Sequence, residues 1–254
     1  MDRKPLIAGN WKMHTTVREA QELASAVVRA AAKVTDREVM IAPPYTALAA
    51  VGKMLADTGV KLGAQNVHWE DEGAFTGEIS APMLRDVGCT MAIVGHSERR
   101  HVFGETDSMI NRRLTGAIHS GLIPVLCVGE TLKQRDLDQT LEVLEEQVRS
   151  GLAGVEVVDG GELVVAYEPV WAIGTGKTAT EGQAQEAHSF IRKLLSDICE
   201  KNIAAQVRIL YGGSVKPENI DSLMQQEDID GALVGGAALK ADSFERIICF
   251  QQRA

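Results

Sequence analysis

The chain has 254 residues, 45% hydrophobic and 24% charged with 4% aromatics, a composition that excludes disordered, fibrous and membrane-embedded classes. Its formal net charge of -9 argues against nucleic-acid binding, which needs a basic footprint. An anionic substrate stays compatible with that charge, because a lysine, backbone amides and helix N-termini can hold one locally. No stretch approaches the roughly 20 apolar residues of a membrane span, and the N-terminus lacks the apolar core of a signal peptide. The four cysteines, Cys89, Cys127, Cys199 and Cys249, lie far apart without a CxxC pair. That spacing speaks against a disulfide framework and a zinc site, and for reduced thiols in a cytoplasmic protein.

Along the chain, short apolar runs alternate with longer amphipathic ones. The runs at 6–8, 39–42, 60–64, 91–94, 123–128, 163–166, 207–210 and 232–234 are mostly rich in Val, Ile and Leu, without strict alternation. Strands of a parallel sheet buried on both faces read this way. Between them, Val17, Ala20, Ala24, Val27 and Val28 share one helix face. So do Leu141, Leu144, Val148 and Leu152, and again Ala184, Ala187, Ile191, Leu195 and Ile198. Thr180 followed by Gln183 reads as a capping box opening the last of these helices. Eight strand–helix repeats predict a single α/β domain over 1–254, a closed (β/α)8 barrel. An open doubly wound sheet also fits the pattern, since periodicity does not count neighbours in space.

In such a barrel the chemistry sits where strands end. The first strand ends in Gly9-Asn10-Trp11-Lys12, and in extended backbone Asn10 and Lys12 point to the same side. That pair can neutralise an oxyanion, although a lone lysine is more often a snorkelling surface residue. The fourth ends in Gly95-His96-Ser97-Glu98, with His96 and Glu98 on one face. A histidine there serves equally as a proton donor or as a hydrogen-bonded structural group. The sixth ends in Tyr167-Glu168-Pro169 and runs into Val170-Trp171-Ala172-Ile173-Gly174-Thr175-Gly176-Lys177. A carboxylate after a buried strand is costly unless solvated or functional. A loop with Trp171 and Ile173 followed by glycine at both 174 and 176 reads as a lid over 169–179 or as a well-packed static loop. Tyr211-Gly212-Gly213-Ser214 and Gly235-Gly236 follow the last two strands, where backbone N–H groups can approach an anion.

These segments, in this order and over essentially the whole chain, resemble the triose-phosphate isomerase family. The matching stretches are Gly9-Asn10-Trp11-Lys12-Met13, Val94-Gly95-His96-Ser97-Glu98-Arg99-Arg100, the run from Ala166 through Lys177, Tyr211-Gly212-Gly213-Ser214-Val215 and Leu233-Val234-Gly235-Gly236. The resemblance implies interconversion of dihydroxyacetone phosphate and glyceraldehyde 3-phosphate, in glycolysis and gluconeogenesis, with no cofactor and no metal. Glu168 would be the base, His96 a neutral electrophile, Lys12 the cation stabilising an enediolate, and Asn10 a further holder of the oxyanion. Gly174, Ser214, Gly235 and Gly236 would donate backbone N–H groups to the phosphate. Trp171 and Ile173 belong to the lid, with Leu233 as a second apolar wall. Triose-phosphate isomerase is itself the standing example of the neutral histidine and of the closing loop.

The family also implies a homodimer, with a long loop after the third strand inserting into the partner. Gln65-Asn66 and Phe75-Thr76-Gly77-Glu78 match that loop, near 65–80, and Thr76 would be buried at the interface. Two positions depart from the pattern. Glu181-Gly182 stands where the family often has a proline, which loosens the helix start by up to about 1 kcal/mol. Asp138 stands where glycine is common, and aspartate tolerates left-handed backbone. Two other readings are an aldolase with a Schiff base on Lys12 and a non-catalytic barrel serving as a scaffold. Against the second, Glu168, His96 and Lys12 are all present. Cys127 and Cys199 read as packing cysteines rather than redox sensors.

Overall fold

Strands buried on both faces need two separate cores, and a closed sheet wrapped by helices supplies both. A computed structural model describes residues 3–174 and 176–251. Its strands are β1 (Leu6–Asn10), β2 (Glu38–Ala42), β3 (Val60–Ala64), β4 (Cys89–Val94), β5 (Ile123–Val128), β6 (Val164–Tyr167), β7 (Arg208–Tyr211) and β8 (Gly231–Val234). They form a closed barrel in chain order, each parallel to the next, with β8 returning to β1. Outside lie α1 (Val17–Ala31), α2 (Tyr45–Leu55), α3 (Ala81–Asp86), α4 (Ser97–His101), α5 (Asp107–His119) and α6 (Leu132–Asp136). They are followed by α7 (Thr140–Gly151), α8 (Glu181–Ile198), α9 (Lys201–Ala204), α10 (Ile220–Leu223) and α11 (Ala241–Ile248). The open doubly wound sheet is thereby eliminated.

The two cores divide the strands by alternation. Leu6 and Ala8, Met91 and Ile93, Val125 and Cys127, and Val164 and Ala166 fill the barrel interior. Ile7, Ala92, Leu126 and Val165 face the helices instead. Their alternation was hidden in the sequence because both sides are apolar. The interior phase continues into the strand ends: two residues beyond Ala8 is Asn10, and two beyond Ala166 is Glu168.

Several strands run beyond the expected limits. The first reaches Asn10, and the sixth and seventh lie one residue later than 163–166 and 207–210, at Val164–Tyr167 and Arg208–Tyr211. Leu163 and Val207 are fully buried, which made them look like strand residues. The ladder instead pairs Tyr167 with both Val128 and Tyr211, so the aromatic residues belong to the sheet.

The expected helix stripes are present. Ala20, Ala24 and Val27 are buried in α1, Leu144 and Val148 in α7, and Ala184, Ala187, Ile191 and Leu195 in α8. Val17 and Leu141, at the outer ends of two stripes, are exposed. The capping box opening α8 forms: the Thr180 N–H donates to Gln183 Oε1 at 3.0 Å, and the Gln183 N–H to Thr180 Oγ1 at 3.2 Å. Asp138 has φ +56°, the left-handed backbone that its glycine-like position requires.

Candidate active site

The interior phase of β1 and β6 brings Asn10 and Glu168 to the barrel mouth, and both are buried. A buried carboxylate must find donors, and among the described residues Glu168 has a backbone N–H and a close imidazole. Its Oε2 accepts the Ser97 N–H at 2.9 Å, and its Oε1 lies 3.1 Å from His96 Nε2. His96 is the N-cap of α4, and its Nδ1 accepts the Glu98 N–H at 3.2 Å. A ring nitrogen that accepts carries no proton, so the proton sits on Nε2 and faces Glu168. The neutral imidazole is the form these bonds select.

The expected side-by-side placement of Asn10 and Lys12 in extended backbone is corrected here. Lys12 is left-handed, with φ +51°. The chain is held in that turn by two side chains. The Lys12 N–H donates to Asn10 Oδ1 at 3.0 Å, and Gln65 Nε2 donates to the Lys12 carbonyl at 2.8 Å and to the Ala42 carbonyl at 2.9 Å. The turn aims the Lys12 ammonium at Glu98 Oε1, 2.6 Å away. His96 and Glu98 do not share a strand face either: residue 96 caps the helix that contains residue 98, and His96 Nδ1 stands 3.7 Å from Glu98 Oε2. Burial pushes the Glu98 carboxyl up, but the hydrogen bond from Lys12 and its positive charge outweigh it and hold the group below the usual carboxylate range.

These residues open into one cavity of about 590 Å³, into which Asn10, Lys12, His96 and Glu168 converge from three strand ends. Gly174, Ser214, Gly235 and Gly236 also line it, and Ile173 and Leu233 supply apolar surface. Every site residue expected from the sequence except Trp171 therefore lines the same cavity. Trp171 is half-buried and turned away, its indole N–H donating to Glu130 Oε1 at 2.7 Å. Gly174 and Gly176 have φ of +70° and +80°, which explains glycine at those two positions; Thr175 between them lies outside the described residues. Cys127 fills the inner core beside the site, and burial together with the Glu168 charge pushes its thiol well above the usual range, which suits packing rather than reactivity.

Glu130 is the residue that sequence reasoning missed. It is fully buried, and its carboxylate accepts from the Tyr167 hydroxyl at 3.1 and 3.2 Å, from Trp171, and from Arg135 at 3.1 Å. Its carbonyl accepts the Val170 N–H at 3.0 Å. The signal was available: like Glu168, it is a carboxylate just after a wholly apolar strand. Ser97 was also passed over, Gln65 was assigned only to the interface loop, and nothing in one sequence distinguishes a serine used through its N–H.

Comparison with known proteins agrees with this arrangement. A family model for triosephosphate isomerase matches residues 5–251. The triosephosphate isomerase of Syntrophotalea carbinolica is 55% identical over 249 residues, covering 98% of this chain and 99% of that protein. That of Moorella thermoacetica is 54% identical over 250 residues, covering 98% and 100%. The crystal structure of triosephosphate isomerase from Bartonella henselae superposes with a TM-score of 0.88 at 38% identity, over 96% of this chain and 97% of that one. A closed eight-stranded barrel, a buried carboxylate and neutral imidazole at its mouth, and likeness along nearly the full length lead to one assignment: the chain belongs to the triosephosphate isomerase family and is an isomerase of that kind.

Proposed function

We propose that the interconversion of dihydroxyacetone phosphate and D-glyceraldehyde 3-phosphate runs in this chain through Glu168 as the base and His96 as the neutral proton donor. The observation that carries the reading is the 3.1 Å approach of the protonated His96 Nε2 to the buried Glu168 carboxylate, with the Lys12 ammonium in the same cavity. Glu168 takes a proton from the carbon beside the carbonyl, and the electron pair moves onto the carbonyl oxygen. The resulting enediolate oxygens are met by the His96 Nε2–H, the Lys12 ammonium and the Asn10 side-chain amide, donors already fixed before charge develops. His96 gives its Nε2 proton to the former carbonyl oxygen and takes back the proton of the neighbouring hydroxyl, and returning the carbon-bound proton to the neighbouring carbon then completes the exchange of aldehyde and ketone. The chemistry is proton transfer throughout, and it uses no cofactor.

Substrate binding changes what Glu168 touches. A carbonyl oxygen that takes the His96 Nε2–H draws that proton away from the carboxylate beside it. The phosphate is held by the backbone N–H groups of Gly174, Ser214, Gly235 and Gly236. The lid, residues 169–179, covers it with Ile173 against Leu233, excluding water from the enediolate. Incubating substrate in deuterated water tests the roles directly. Deuterium enters the carbon-bound position with the native enzyme and stops with Glu168→Gln; undiminished exchange in that variant contradicts the assignment.

The loops after the first four strands support a homodimer. Met13, Phe75, Met83, Val102 and Phe103 expose 94, 41, 54, 72 and 68% of their surface in the single chain. Beside them runs a groove of about 530 Å³ between Met13, Thr15, Pro44 and Tyr45. Thr15 Oγ1 and Asn66 Oδ1 are buried in this region without partners among the described residues. The loop 65–80 of a second copy, with Thr76 near its tip, fits such a groove. Sedimentation at micromolar concentration yields a dimer on this reading and a monomer otherwise. Four widely spaced, unpaired cysteines favour a reducing, cytoplasmic compartment. Among the described residues no helix is long and apolar enough to cross a membrane. The reading takes 1–254 as one domain.

A further inference from the structure

Glu168 and Glu130 stand on neighbouring strand ends, and the peptide that lies between them is Gly129. Its backbone is pressed against the Glu168 main chain so closely that a Cβ at 129 would collide with the Glu168 carbonyl oxygen. The Glu168 N–H donates to the Val128 carbonyl at 2.8 Å, which ties the two segments one residue earlier. Immediately after Gly129 comes Glu130, the carboxylate that receives Trp171 at the start of the lid. The placement of both the base and the lid anchor therefore depends on where the Gly129 peptide sits.

That peptide is held from outside the barrel. Gln147, half-buried on α7, accepts the Gly129 N–H through Oε1 at 2.8 Å and reaches the Gly129 carbonyl with Nε2 at 3.4 Å. Its amide pairs with the peptide as a neighbouring strand would. α7 is rigid at this point, because Leu144 and Val148 on either side of Gln147 are fully buried in the outer core. A helix in the protein's shell is thus bonded to the segment on which the reacting carboxylate rests.

We infer that Gln147 is a positioning residue for catalysis: it acts through Gly129 to fix the Glu168 backbone and the Glu130 anchor, without touching substrate. The inference rests on the reading of Glu168 as the base. The short bond to the Gly129 N–H carries most of the effect, so an acceptor at position 147 is what matters.

The experiment compares kcat, KM and Tm for the native enzyme, Gln147→Met, Gln147→Glu and Glu168→Asp. Methionine keeps the length and the helix and removes both bonds. Its expected result is a kcat lower by about tenfold with KM within about twofold, the mark of a base held slightly out of line. Glutamate retains the acceptor, and kcat within about threefold of native is expected even where Tm falls. Should Gln147→Met not fold, Gln147→Lys, which offers only donors, takes its place with the same expected loss. Native kcat in the methionine or lysine variant overturns the inference, and so does an equal loss in the glutamate variant. Full activity in Glu168→Asp instead removes the reading on which the inference rests, and the two failures are told apart in one data set.

Discussion

Gly212 faces the side chain of Glu168 so closely that a methyl group at position 212 would lie 2.8 Å from Glu168 Cγ. The Gly212 N–H also donates to the Tyr167 carbonyl at 2.7 Å, so this backbone cannot retreat without breaking the ladder beside Glu168. The glycine is there for space, as its φ lies outside the left-handed region. Gly212→Ala is expected to displace the Glu168 side chain and lower kcat by about 10- to 100-fold, since small misplacements of a catalytic group cost on that scale. Circular dichroism should show the fold intact. Native kcat in Gly212→Ala means that the carboxylate can be rearranged without loss.

Ile173 and Leu233 supply the apolar surface of the cavity that holds Glu168. Ile173→Ala opens a gap over the carboxylate and lets water solvate it, which weakens it as a base. The variant should lower kcat more than it raises KM. Steady-state kinetics with an unchanged kcat sink the idea that this wall desolvates the base.

His188 lies on α8 wholly buried, 5.9 Å from the Tyr167 ring and 6.3 Å from that of Tyr211. Its Nδ1 is 3.2 Å from the Asp228 carbonyl and therefore carries the proton of a neutral ring. Burial lowers its pKa from 6.5 to about 4, against the smaller opposing pull of the Asp228 carbonyl. The unfolded chain takes up a proton near pH 6.5 while the folded one does not, so stability is fully present above pH 6.5 and falls as the pH drops from there to about 4. The total loss is about 3 kcal/mol. Urea unfolding between pH 7 and 4.5 should show a flatter pH dependence for His188→Gln than for the native chain. Identical slopes rule out His188 as the source.

The barrel was legible because eight short apolar runs separated by amphipathic stretches leave few other architectures, and every run became a strand. The limits of β6 and β7 were not, because buried Leu163 and Val207 look like strand residues in sequence while the ladder shifts one place toward Tyr167 and Tyr211. Asn10, Lys12, His96 and Glu168 could be found from their places after strands, but their mutual geometry could not. The left-handed turn at Lys12 is held by Asn10 together with Gln65, more than fifty positions away in the chain. The partner of Trp171 was hidden for a similar reason: Glu130 comes from a different strand end. Residues that touch the cavity announce themselves by type; those that hold them in place are known only once distant segments meet.

The most direct test of the account is a coupled assay of glyceraldehyde 3-phosphate turnover to dihydroxyacetone phosphate, comparing the native chain with Glu168→Asp. Shortening that side chain by one methylene withdraws the carboxylate from its place between Ser97 and His96 while keeping its charge. The account predicts fast turnover in the native enzyme and a kcat lower by at least about 100-fold in the variant, with the fold intact. Equal turnover in both, or none in a folded native enzyme, contradicts it.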